Sequence, residues 1–454
     1  MDGSGNRYSA GGDANGEVAQ GSKDERKYLY LLVSGAVAQH VQRTPTRPGS
    51  SSHCPGTTPS LDDISKHSAS MAATQPKIDI NAYLDQGISA TPSDLHPFFE
   101  SFRTLHSRKL WHQMTLKLAE FFDHPLSKPY RVDVFNKFVR DFEARLNQLR
   151  LVEMGVKVSK EIDNPANHLT FLTDLLSRVN TEKAPEAHVL LLASLAHAKL
   201  LFGDLEGTKT DIDAAWKILD ELSGVDNIVN AAYYGVAADY YKAKAEYAPY
   251  YRNSLLYLAC IDLAKDLTAE ERVVRAHHLA ISAFLGETIY NFGELLSHPI
   301  LDALDNTPHD WIKKLLFIFN EGNIGKFEGL SPVFGKEPIL HENYPFLRQK
   351  ICLMALIESV FKRNAYDRTM SFQTIAEETR LPLEEVEHLV MKALSLKLIR
   401  GSMDQVDQKA YITWVQPRVL SRDQIAQLAQ RLAAWGEKLH TVEERIAPEV
   451  LVNA

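Results

Sequence analysis

The chain has 454 residues, 45% hydrophobic and 24% charged, with 20 Pro, 23 Gly and a formal net charge of -8. At roughly 150 residues per domain this allows about three domains with a sizeable core, and the balance excludes a collagen-like, wholly disordered or membrane-spanning chain. With 58 Asp and Glu against 50 Lys and Arg, nothing draws the chain generally to phosphate backbones, and the scattered Cys54, Cys260 and Cys352 suit a reducing compartment rather than a disulfide framework or a zinc finger.

Residues 1–76 are rich in Gly, then in Ser, Thr and Pro, and are expected to be disordered because such composition cannot offset the entropy of ordering. Within them Lys23, Arg26 and Lys27 precede an apolar run, Tyr28 to Ala38, that superficially matches a signal peptide. The run is too short to span a bilayer, and the long polar stretch before it argues against secretion. Met71 offers a second explanation, a clean start that would leave the leader outside the mature protein.

Residues 77–340 read as a helical-repeat, TPR-like solenoid, with apolar residues at spacings of three and four and short Pro, Gly or Asn breaks. Leu105, Leu110, Trp111, Met114, Leu118 and Phe122 make one stripe; Val134, Phe135, Phe138, Phe142 and Leu146 make the next. Further helices are predicted near 166–179, 186–201, 204–222, 227–245, 250–264 and 270–286. Such helical pairs must stack to bury their apolar faces, which makes a binding scaffold the usual outcome. Tyr233, Tyr240 and Tyr247 recur every seven residues beside Tyr234 and Tyr241. Packing between helices is the ordinary use of such a stripe; a peptide-binding groove is the alternative.

Residues 341–420 have the order of a winged helix. An amphipathic helix (RQKICLMALIESVFKRN) is followed by FQTIAEETR with Ser371 as N-cap, a turn at Leu381-Pro382 and the helix LEEVEHLVMKALSLKL. Two strand-like runs follow, Leu398 to Met403 and Ala410 to Val415, joined by a polar turn. In the final segment, 421–454, one long helix carries Ile425, Leu428, Leu432, Trp435, Leu439, Val442 and Ile446 at steps of 3, 4, 3, 4, 3, 4. This heptad seam predicts partner helices, most simply from other chains. The competing expectation is that the helix folds back on its own winged helix.

No arrangement of catalytic residues emerges. There is no phosphate-wrapping G-x-x-x-x-G-K-[ST], no H-E-x-x-H and no G-x-S-x-G. His277 and His278 are adjacent, point about 100° apart on a helix, and cannot converge on one metal. No enzyme activity, small-molecule substrate, cofactor or metal is therefore expected. A base-reading third helix needs Arg, Lys, Asn or Gln near its start, whereas here Glu384, Glu385 and Glu387 stand there.

Several strings carry a resemblance. Lys109 to Gln113 (KLWHQ), Phe292 to Pro299 (FGELLSHP), Phe319 to Asn323 (FNEGN), Val390 to Leu396 (VMKALSL) and Thr413 to Leu420 (TWVQPRVL) resemble the family of non-ATPase regulatory subunit 13 of the 26S proteasome, whose members carry a PCI domain. The resemblance implies a non-catalytic scaffold subunit of the lid of the 19S regulatory particle, serving lid assembly and ubiquitin-dependent degradation in cytoplasm and nucleus. It implies other lid subunits as partners, with no nucleic acid and no membrane. It gives a sheet-edge role to Leu398–Met403 and Ala410–Val415, and a helix-bundle role to the seam from Ile425 to Ile446. A PCI scaffold of a signalosome or translation initiation complex is the alternative, and a nucleic-acid-binding winged helix a more distant one. The leader before Met71 has no counterpart in the family pattern.

Overall fold

The computed structural model describes residues 80–162, 164–181, 183–363, 367–419 and 422–445. The leader with its signal-like run, and Ile446 at the end of the seam, lie outside them. The described chain forms two compact units that divide between Ala245 and Glu246, each closing its own hydrophobic cluster.

The first unit runs α1 (Ile80–Ala90), α2 (His96–Arg108), α3 (Trp111–Asp123), α4 (Arg131–Lys137), α5 (Gln148–Ser159), α6 (Pro165–Arg178), α7 (Pro185–Leu201), α8 (Leu205–Glu221) and α9 (Asn227–Ala243). Helix starts follow side-chain capping of otherwise unpaired N–H groups. The Asn147 side chain accepts from Leu149 N at 3.0 Å, Asn164 from Ala166 N at 3.0 Å, and Asp204 from Gly207 N at 2.9 Å. Helix α7 is apolar on nearly every face and is buried accordingly, packing against α5, α6, α8 and α9.

Two predicted helices are broken. The stripe from Leu105 to Phe122 crosses a left-handed residue, Lys109 (φ 56°), which ends α2 before α3 begins. The helix expected across Val134 to Leu146 is α4 followed by two short 3-10 turns, Val139–Asp141 and Glu143–Arg145. The tighter winding lets Phe138 and Phe142 meet edge to face at 5.1 Å while Phe142 stacks on Trp111 at 5.3 Å. The tyrosine heptad is also interrupted. Tyr233 and Tyr240 are buried on α9, as the packing reading expects, but Ala245 takes φ 58° and Tyr247 opens a new helix in the second unit.

The second unit begins with α10 (Tyr247–Cys260), α11 (Leu263–Asp266), α12 (Ala269–Leu285), α13 (Gly293–Ser297), α14 (Asp310–Glu321), α15 (Ile324–Leu330), α16 (Pro338–Glu342) and α17 (Tyr344–Lys362). It continues through β1 (Thr369–Ser371), α18 (Phe372–Thr379), α19 (Leu383–Ser395), β2 (Ile399–Asp404), β3 (Lys409–Val415) and α20 (Arg422–Arg445). A reciprocal capping box between Thr268 and Glu271 starts α12. One core runs from Tyr251 to Val415, so these helices and the winged helix are packed as one body. Lys350 lies inside it. Its ammonium donates to the carbonyls of Ala283, Phe284 and Gly286 at 2.8, 2.9 and 2.7 Å.

The winged helix comprises α17, α18 and α19 with an antiparallel sheet in the order β1-β3-β2. Ser371 caps α18, accepting from Thr374 N at 3.2 Å. Strand β1 is absent from the sequence reading because three residues with one buried side chain, Met370, leave no alternation to detect. Its presence corrects one expectation: β3 pairs with β2 on one side and, through Lys409–Tyr411, with β1 on the other, so Ala410–Val415 belongs to the central strand and the outer strands are β1 and β2.

Candidate functional site: an exposed helix seam and a sheet edge

Helix α20 is 24 residues long, and every described side chain from Ile425 to Glu443 is exposed. The apolar seam is no exception: Ile425, Leu428, Leu432, Trp435, Leu439 and Val442 stand 46% to 62% exposed. The fold-back onto the winged helix does not occur among the described residues. Scattered exposed leucines are ordinary, but apolar side chains aligned on one stripe mark an interaction surface. Fully burying each would contribute about 1.5–3 kcal/mol, which a solvated helix forgoes.

Arg418 and Val419, which follow β3, are clamped. The Arg418 side chain is almost completely buried, ion-paired with Glu358 of α17 and donating to the backbone oxygen of Asn320 at 2.6 Å and to its side-chain oxygen at 2.9 Å. Burial draws the Arg418 pKa down while Glu358 opposes the shift. Val419 presses on Gly293, where an added Cβ would lie 2.2 Å from the Val419 Cβ. Arg418 and Val419, the last described residues before α20, are thereby held by groups on α13, α14 and α17. Sequence reasoning assigned Arg418 no role; a lone arginine between Pro417 and Val419 carries no local signal, since its partners lie 60 and 98 residues upstream.

Strand β2 supplies the second feature. Arg400, Gly401 and Ser402 are exposed, with β3 on one side and no strand on the other among the described residues. A bulge at Arg400/Gly401 interrupts the register, and Gly401 permits it: a Cβ there would sit 2.0 Å from the Tyr411 carbonyl oxygen. The turn beyond is held by Asp404, whose carboxylate accepts from Val406 N at 2.9 Å and Asp407 N at 3.1 Å. Glu384 and Glu385 are exposed at the start of α19, and wing residue Gln405 donates to Glu387 at 3.0 Å. The end of the helix that would read DNA therefore presents carboxylates. Among the described residues no helix is long and apolar enough to cross a membrane.

Comparison with known proteins agrees with this architecture. A family model described as PSD13 N-terminal repeats matches residues 98–316, and the PCI domain model matches residues 326–414. The chain is 40% identical to the probable 26S proteasome regulatory subunit rpn9 of Schizosaccharomyces pombe, over 81% of this chain and 95% of that protein. The chain belongs to this family. A Saccharomyces cerevisiae member, 26S proteasome regulatory subunit RPN9, is 37% identical over 79% of this chain and 94% of its own length. In Arabidopsis thaliana, 26S proteasome non-ATPase regulatory subunit 13 homolog B is 37% identical over 79% of this chain and 95% of its own length. The family's PCI match covers α17 to β3, so the clamp at Arg418 and the seam of α20 follow directly on that domain.

Proposed function

We propose that this chain is a non-catalytic scaffold subunit of the lid of the 26S proteasome regulatory particle, supporting ubiquitin-dependent degradation in the cytoplasm and nucleus. Its α20 seam joins the helices of other lid subunits in a bundle, and the β2 edge pairs with a neighbouring strand. The observation that carries the interface reading is the six-residue stripe left uncovered at heptad spacing on α20. The relatives' names supply the assembly, and strand addition to an exposed edge is a recurrent recognition mode.

The test is mass spectrometry of what co-purifies with the tagged endogenous protein in gentle salt. Recovery of proteasomal ATPases, lid subunits and the 20S core is the expected outcome. Signalosome or ribosome-associated subunits in their place would keep the architecture and overturn the assignment.

A further inference from the structure

We propose that His277, His309 and Glu337 form a binding site for one divalent cation of the zinc class. The three residues come from separate elements of the second unit: His277 from within α12, His309 from the residue preceding α14, and Glu337 from the residue preceding α16. His277 Nε2 lies 2.8 Å from Glu337 Oε1, and His309 Nδ1 lies 3.8 Å from the same oxygen. One ligand atom from each residue lies within 4.8 Å of the others.

Zinc bonds of about 2.0–2.2 Å to imidazole nitrogen and carboxylate oxygen place neighbouring ligand atoms of a tetrahedron roughly 3.3 Å apart. The two separations from Glu337 Oε1 bracket that value and the histidine nitrogens lie within 4.8 Å of each other, so side-chain rotations bring the donors onto one ion. Two neutral imidazoles and a carboxylate suit zinc rather than magnesium or calcium, which take oxygen ligands. The side chains of His277 and Glu337 are mostly buried, and that of His309 is about one-third exposed, leaving a path from solvent and a fourth position for water. Coordination through His277 Nε2 replaces the His277–Glu337 hydrogen bond, and the neutral imidazole then carries its single proton on Nδ1. The bound ion would tie α12 to the starts of α14 and α16.

The experiment titrates the purified full-length chain with Co2+ and reads the visible absorption of a four-coordinate site, with Zn2+ as competitor. Expected are one Co2+ per chain, displacement by Zn2+, and a higher Tm with Zn2+ present. Since other histidines also bind metal weakly, His309→Ala and Glu337→Gln are compared with His112→Ala, an exposed histidine of the first unit. The first two variants should lose tenfold or more in affinity, on the order of what metal-site substitutions cost, while the third keeps it. Circular dichroism matching the parent chain excludes unfolding as the cause. Lack of four-coordinate absorption, or equal affinity in all variants, would overturn the site and leave the cluster as a hydrogen-bonded contact.

Discussion

The Lys350 ammonium spends its three N–H groups on three carbonyls at and just beyond the C-terminal end of α12, with the rings of Tyr290, Phe292 and Phe346 within 5.4 to 5.9 Å. Burial draws its pKa well below the ordinary lysine value; the carbonyls, the helix end and the ring faces act the other way by favouring the cation. Its role follows from what its removal would leave behind. Lys350→Met keeps the stem's volume but strips donors from buried carbonyls, at a cost of about 1–3 kcal/mol for each one left unsatisfied. We expect the variant to lose roughly 2–4 kcal/mol of stability in denaturant unfolding; a loss under about 0.5 kcal/mol, typical of a surface site, would contradict the capping role. None of this is legible locally. In RQKICLMALIESVFKRN a lysine reads as part of the solvated face, because the groups that satisfy it lie 64 to 67 residues upstream. The His277–His309–Glu337 cluster is hidden for the same reason: the neighbour visible along the chain is His278, which points about 100° away on the helix, while Glu337 lies 60 residues downstream.

At the scale of elements, periodicity and capping residues were informative wherever the helix was long. The predicted 186–201 and 227–245 became Pro185–Leu201 and Asn227–Ala243, and Ser371 caps as its position before FQTIAEETR implies. What failed was continuity, as at Lys109 and after Lys137, where tertiary packing of aromatics overrides a pattern that remains helical on paper. The α20 seam was readable because it answers only to its own spacing; whether it was covered was not. That distinction yields a paired expectation. Trp435→Ala and Leu432→Glu alter side chains 62% and 58% exposed, so the isolated chain should keep its stability within about 0.5 kcal/mol. Reconstitution with lid subunits should weaken by about 2 kcal/mol or more, as at buried aromatic anchors. Native gel assembly and thermal unfolding, run on the same variants, separate the two effects. Unchanged assembly of both variants would reject the bundle role, and a matching loss of Tm would mean that the seam is covered within the chain itself.

For the whole molecule, the decisive fact is that the seam, the β2 edge, the Arg418 clamp and the winged-helix core all belong to the second unit, while the first closes a separate core ending at Tyr240. Sequence patterning assigned helical repeats up to residue 340 without indicating that the later ones share a core with the winged helix. Local periodicity carries no information about which helices pack together, and only the contacts of α12, α14 and α17 reveal it. If the cores are energetically independent, residues 246–454 expressed alone should unfold cooperatively, because nothing in their cluster or packed against it lies before Tyr247. The same fragment should capture the partner helices with an affinity within about tenfold of the full chain, a difference of about 1.4 kcal/mol, since both proposed contact surfaces are retained. Residues 77–245 should fold but capture none of them. Calorimetry on each fragment and pull-down against reconstituted lid subunits test this directly: a second unit that folds yet fails to bind would move the assembly determinant to the first unit's helices and leave the seam without its proposed role.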